Sequence, residues 1–224
     1  MSDTVGAFML KRLRSLGVER IYGYPGDGIN GILGAFHEVG DDIELIQCRH
    51  EEIAAFAAAA HAKLTDEFGV CLATSGPGAI HLLNGLYDAK LDKRPVVAII
   101  AQQHRSALGS GYQQEIDAHS LFKDVCSQYL NTVTTPEQLH LVVDRAVRTA
   151  QATRSPTCVI IPHDVQQLEL PDQPEQAHAV ITTSIGWERP RVLPSDDALD
   201  AAAAVLNAGE RVALVVGQGA QDAA

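Results

Sequence analysis

Arg49-His50-Glu51-Glu52 puts two carboxylates next to an imidazole and a guanidinium, and Thr74-Ser75-Gly76-Pro77-Gly78 follows further along the chain. The first stretch has the residue types of proton transfer. The second offers backbone N–H groups with little side chain in the way, which suits close approach of a ligand. A metalloprotease pattern is excluded, because the residue four after His50 is Ala54 and H-E-x-x-H fails. An acidic pair could also serve only as favourable charge at a helix N-terminus.

Both stretches fall where a strand pattern gives way to a helix pattern. Ile43 to Cys48 is a short apolar run suited to a buried strand. Ile53, Phe56, Ala57, Ala60 and Leu64 then recur at the spacing of one helix face. Gly69-Val70-Cys71-Leu72-Ala73 reads as a second buried strand, and Ile80, Leu83, Asn84 and Tyr87 open the next helix. In open α/β sheets, ligands bind beyond the carboxyl ends of the strands. Two strand-to-helix turns, one carrying a carboxylate and one rich in glycine, therefore form a candidate site.

The rest of the chain supplies elements that can hold these turns. Thr4 to Leu16 is predicted as an amphipathic helix ended by Gly17, and Glu19 to Tyr22 as a short strand. Gly23-Tyr24-Pro25-Gly26-Asp27-Gly28 is a turn, followed by a helix through Ile29, Ile32, Leu33 and Phe36 that closes at Gly40. Pro95 to Ala101 is a buried strand, Gln102 to Gln114 a polar loop, and Ser120 to Val125 a short helix. A strand near Gln128 to Val133, a helix opened by Pro136, and a strand from Thr157 to Ile161 complete the set. Strands alternating with helices predict an α/β fold, a doubly wound six-stranded parallel sheet with helices on both faces.

Composition agrees. The chain has 224 residues, 46% hydrophobic but only 5% aromatic, so its core is Ala, Val, Ile and Leu. The net charge of -11 argues against nucleic acid, which is bound by clustered Lys and Arg. Cys48, Cys71, Cys126 and Cys158 form no C-x-x-C pair and read as buried free thiols of a cytoplasmic protein. No signal peptide and no membrane span of roughly 20 apolar residues is expected. Gly217-Gln218-Gly219 opens like a dinucleotide fingerprint, but Asp222 stands at its third glycine position and the pattern fails.

From about Val5 to Pro162 the chain resembles the pyrimidine-binding domain of thiamine-diphosphate-dependent enzymes, in the pyruvate oxidase and acetolactate synthase group. The resemblance rests on Tyr22-Gly23-Tyr24-Pro25-Gly26, Arg49-His50-Glu51-Glu52, Thr74-Ser75-Gly76-Pro77-Gly78, Asn84-Gly85-Leu86-Tyr87-Asp88-Ala89 and Tyr112-Gln113, in the family's order and spacing. It implies that Glu51 is catalytic, bonding the aminopyrimidine nitrogen of the cofactor so that the ring can remove the thiazolium C2 proton. It further implies cofactor contacts at Pro25, Gly26, Thr74, Pro77, Gly78, His81 and Gln113, with Tyr112 and Gln113 facing the substrate. Gln114 stands as one extra residue in that loop. His81 falls where pyruvate oxidases have His and acetolactate synthases Asn, which favours the oxidase side.

The resemblance implies a 2-oxo acid substrate, decarboxylated with oxidation or carboligation, and a homodimer or homotetramer built through pyrimidine-binding domains. Ala54, Ala57, Ala58, Leu82, Leu83 and Leu86 are the faces expected at that contact. Mg²⁺ would hold the diphosphate through ligands in a C-terminal domain, so no metal ligand is assigned here; FAD is left open as a further cofactor. The expected organisation is a pyrimidine-binding domain over 1–165, a linker over 166–193, and the beginning of a truncated central domain over 194–224. In that last part a helix from about Asp197 to Asn207 and an apolar strand from Arg211 to Gly217 are predicted. The isolated chain is expected to bind the cofactor poorly. The alternative is a non-catalytic assembly domain, or one subunit of a split enzyme.

Overall fold

The computed structural model describes residues 2–65, 67–171, 183–186, 188, 193–217 and 220. Helix α1 spans Val5–Ser15, with the Thr4 side chain accepting the Ala7 N–H as its N-cap. Strand β1 (Arg20–Gly23), helix α2 (Asn30–Val39), strand β2 (Glu44–Gln47) and helix α3 (Glu51–Leu64) follow. Then come β3 (Gly69–Ala73), α4 (Pro77–His81), α5 (Leu83–Leu91) and β4 (Val96–Gln102). A long loop leads to α6 (Ala118–Phe122), β5 (Leu130–Thr132), α7 (Leu139–Thr153) and β6 (Pro156–Pro162).

The strands form one six-stranded sheet in the order β2-β1-β3-β4-β6-β5, every pair parallel. β3, β4 and β6 are buried along their whole length. That explains their unbroken apolar runs, since a central parallel strand has no solvent face. Side chains alternate between two core layers. Val97, Ile99 and Val159 join residues of α1, α2 and α7 in one layer; Ala98, Ile100, Cys158 and Ile160 join α3, α5 and α6 in the other. This is the doubly wound sheet that the alternation of elements predicted.

The order reverses between β1 and β3. The chain leaves β1 toward α2 in one layer and leaves β3 toward α4 and α5 in the other, which opens a crevice at their carboxyl ends.

Helix α3 turns the apolar stripe seen in its sequence outward. Ile53, Phe56, Ala57, Ala60 and Leu64 do not face the core: Ile53 is 51% exposed, Phe56 41% and Leu64 85%, with Ala60 exposed as well and Ala57 half-buried. The buried side is Ala54, Ala55, Ala58, Ala59 and Ala62. The cause is steric. A Cβ on Gly69 would lie 2.1 Å from the Ala58 carbonyl oxygen, and one on Gly85 would lie 2.5 Å from Ala55 Cβ and the Phe56 nitrogen. The helix lies against β3 and α5 at backbone distance, where nothing larger than alanine fits.

Two compact units divide at Trp187 and Glu188. In the first, Val165 and Gln166, at the boundary where a linker was expected, are fully buried, and Leu170 N–H donates to the Asp3 carbonyl. In the second, α8 spans Asp196–Asn207 with Ser195 as N-cap, and all of it is exposed. The strand predicted over 211–217 is not formed. Those residues are irregular and their apolar side chains exposed, because a lone apolar run has no strand beside it to accept its hydrogen bonds. Gln218 and Gly219 lie outside the described residues.

One buried ion pair ties α1 to α7. Arg12 donates to both oxygens of Asp144, Nε to Oδ1 at 2.7 Å and Nη2 to Oδ2 at 2.6 Å, and Thr183 adds a third hydrogen bond. Burial alone would push the Asp144 carboxyl up, but the Arg12 and Thr183 bonds outweigh it and hold it below its ordinary range. Asp144→Asn should therefore destabilise the domain by about 3 kcal/mol in urea at neutral pH, since it leaves the guanidinium short of a partner. A folded carboxyl held low adds stability above its unfolded value, near 3.9, and loses it as the pH falls through the folded value. The gap between wild type and Asp144→Asn should accordingly narrow in acid. Equal urea midpoints at neutral pH would refute the assignment.

Candidate functional site

The turns after β1 and β3 meet in the crevice at the reversal of strand order. Gly28 N–H donates to Thr74 Oγ1 at 2.9 Å. A Cβ on Gly26 would fall 2.6 Å from Thr74 Cβ, and one on Gly28 would fall 2.7 Å from Thr74 Oγ1. The glycines are required by contact, not only by turn geometry. Gln166 fixes the β1 turn from beneath: its Nε2 donates to the Gly28 carbonyl at 2.8 Å and to the Ile161 carbonyl at 3.2 Å. Its Oε1 accepts the Ile32 N–H at 3.4 Å.

The turn after β3 is equally constrained. Thr74 and Ser75 are buried, Gly76 has φ +62, and Pro77 sits at the first helical position of α4. Proline is suited there because that N–H has no helical partner. Gln103 Nε2 donates to Ser75 Oγ at 3.0 Å, which ties the end of β4 to this turn.

Glu51 is the first residue of α3 and only 6% exposed. Its Oε2 lies 3.0 Å from His81 Nδ1, and its Oε1 faces Gly78, where a Cβ would be 2.9 Å away. For a neutral His81 this bond requires the tautomer with hydrogen on Nδ1. His50 caps the helix, accepting the Glu52 N–H on Nδ1 at 3.2 Å, and its ring stacks on His81 with centroids 4.3 Å apart. Glu52 points elsewhere, accepting from Asn84 Nδ2 at 2.6 Å. The neighbouring acids thus have separate environments, one buried over the glycine turn and one on the α5 surface.

His50, Glu51 and His81 bring ligand atoms within 4.8 Å of one another. A cation there would face the positive end of α3. The arrangement favours a neutral or proton-sharing ligand over a metal.

Of the residues singled out in the sequence, Gly26, Glu51, Thr74, Gly78 and His81 lie together, with Pro25 preceding Gly26 and Pro77 preceding Gly78. Tyr112 and Gln113 stand exposed on the loop after β4, and among the described residues neither side chain hydrogen-bonds to the Glu51 cluster. It is Gln114, in a left-handed conformation with φ +64, that packs on Gly76. Glu115 collects the N–H groups of Gly109, Gly111 and Tyr112. The Gly109 N–H most of all, with the other two, holds its carboxyl below the usual range. Gln166 and Glu115 were not singled out from the sequence; each acts by binding backbone groups, which leaves no pattern in a chain read alone.

Comparison with known proteins decides what this crevice belongs to. Residues 3–121 match the family described as thiamine pyrophosphate enzyme, N-terminal TPP binding domain. The chain belongs to this family.

The chain has similar proteins over nearly its whole length. It is 38% identical over 220 residues to a pyruvate oxidase of Lactiplantibacillus plantarum, covering 97% of this chain and 35% of that protein. It is 36% identical to the putative thiamine pyrophosphate-containing protein YdaP of Bacillus subtilis, covering 98% of this chain and 37% of the relative. An uncharacterized 42.6 kDa protein of Pseudomonas amyloderamosa is 41% identical, with 98% and 54% covered. The chain thus spans between about a third and a half of the length of these curated relatives. Among the described residues no helix is long and apolar enough to cross a membrane.

The contact at Gly78 gives a direct structural test. Gly78→Ala places a methyl 2.6 Å from Thr74 Cγ2 and against Glu51, and should cost about 1–3 kcal/mol in urea unfolding. Gly34→Ala is the control: it lies in α2 with nothing within 4 Å of the added carbon, and should stabilise by roughly 0.5–1 kcal/mol. Similar shifts of the same sign would contradict the packing described.

Proposed function

We propose that this chain is the pyrimidine-holding part of a thiamine-diphosphate-dependent enzyme that acts on a 2-oxo acid, decarboxylating it with oxidation or carboligation. The observation that carries the proposal is the buried Glu51 carboxylate over a cradle of Gly26, Gly28 and Gly78, where an added Cβ would meet Thr74 or Glu51 itself. The glycines let the two turns close on Thr74 and hold Glu51 in place, and a carboxylate so held fits a ring nitrogen that must exchange a proton. When bound, thiamine diphosphate supplies the carbon nucleophile and electron sink that decarboxylation requires.

The protein's part is position and proton control. His81 occupies Oε2 of Glu51, which leaves Oε1 beside Gly78 as the oxygen available to a ring nitrogen. Burial keeps water from competing for it, and a positioned carboxylate of this kind contributes roughly 10²–10⁴-fold to rate. The diphosphate would need Mg²⁺ and oxygen ligands, and we assign that role to residues of the longer enzyme. The free cysteines support a reducing, cytoplasmic setting.

Turnover of pyruvate by the longer enzyme is the test. Glu51→Gln should lower kcat at least about 100-fold with the fold retained, because an amide cannot share the proton. Glu52→Gln, whose partner is Asn84, should stay within roughly threefold of wild type. Unimpaired turnover by Glu51→Gln would overturn the proposal.

A homo-oligomer belongs to the same proposal, through a face other than the one expected. Ala54, Ala58, Leu82 and Leu86 are buried in the chain's own core. The outward side of the same helices carries Ile53, Phe56, Leu64, Ile80, Tyr87 and Leu91, all exposed. Exposed apolar side chains on helices that pack together support an interaction surface here, and the first of them, Ile53, is two residues from Glu51. Sedimentation should show a concentration-dependent dimer of this chain that Phe56→Glu converts to monomer. A wild-type chain that stays monomeric at high concentration would count against this face.

A further inference from the structure

We propose that Glu115 is a positioning residue: its carboxylate closes the 109–114 loop over the glycine turn after β3 and so presents Gln114, rather than Gln113, to the crevice. The inference rests on the proposed function for its catalytic meaning, but its structural part stands apart from it. The loop leaves β4 at Gln102, whose Nε2 holds the Ile116 carbonyl at 2.9 Å. The two ends are thereby kept together, and Gln103 is anchored to Ser75. Between them the chain folds around one carboxylate. Glu115 Oε1 accepts the Gly109 N–H at 2.6 Å, and Oε2 accepts those of Gly111 and Tyr112, each at 3.0 Å.

Gly109 and Gly111 have φ +86 and +71. Backbone N–H groups gathered by a tight turn make a concave anion site. Here the anion is the protein's own. Closure brings Gln114 against Gly76: a Cβ on Gly76 would lie 2.7 Å from Gln114 Cβ and its carbonyl oxygen. Glycine at 76 is therefore required by this loop as well as by its own φ of +62. Gln114, itself exposed, thus covers Gly76 at the rim of the crevice through its backbone and Cβ, and Glu115 acts through it.

The first measurement is residue-resolved amide exchange on this chain. Glu115→Ala and Glu115→Gln should each speed exchange at Gly109, Gly111 and Tyr112 at least tenfold, with the β4 and β6 amides still protected. The second is steady-state kinetics of the longer enzyme with pyruvate as probe. Glu115→Ala should raise KM at least tenfold while kcat and half-activation by thiamine diphosphate change less than threefold, and Gln114→Ala should reproduce that split where Gln113→Ala does not. Unchanged exchange at the three amides, or a fall in kcat at constant KM, would overturn the inference. No turnover even by wild type, with the exchange effect present, would instead overturn the proposed function and leave the loop closure standing.

Discussion

Close backbone approach is the constraint on which the structure depends. At the reversal of strand order, Gly26 and Gly28 meet Thr74, and Gly78 meets both Thr74 and Glu51, at distances that exclude a β-carbon. The same rule operates behind the site, where Gly69 and Gly85 let α3 lie directly on β3 and α5. If α3 stood further from the sheet, Glu51 at its first turn would be exposed to water. The alanine face of α3 and the burial of Glu51 are thus one feature seen at two ends of a helix.

The sheet was readable because central parallel strands must be apolar throughout, and β3, β4 and β6 are. Gly40 at the end of α2 gave a clear stop, and Pro136 a clear start just ahead of α7. The orientation of α3 was not readable. Its larger apolar residues trace a clean helical stripe, and periodicity assigns such a stripe to the core. Glycines on other elements decided otherwise, by admitting only alanine. That information lies in Gly69 and Gly85, distant in sequence from the side chains that they select.

The site was legible in the same uneven way. Glu51, Thr74 and Gly78 stand in motifs whose residue types state their chemistry. Gln166 lies in a polar stretch and is nevertheless fully buried, with its amide spent on backbone groups of three segments. Nothing in residue type separates such a glutamine from a solvated one. Likewise Gln113 and Gln114 are indistinguishable in sequence, and only the left-handed turn at Gln114 puts that residue on Gly76. The run over 211–217 shows the converse: an apolar pattern specifies a strand only when another strand is there to pair with it.

The central claim is that Glu51 controls a proton on a bound cofactor ring. Its most direct measurement is hydrogen–deuterium exchange at C2 of thiamine diphosphate bound to the longer enzyme, read by NMR after acid quench, in wild type and Glu51→Gln. The account predicts exchange at least about 100-fold slower in the variant, in line with the loss of a positioned general acid–base group. Equal exchange rates in the two proteins, with the cofactor bound in both, would contradict it.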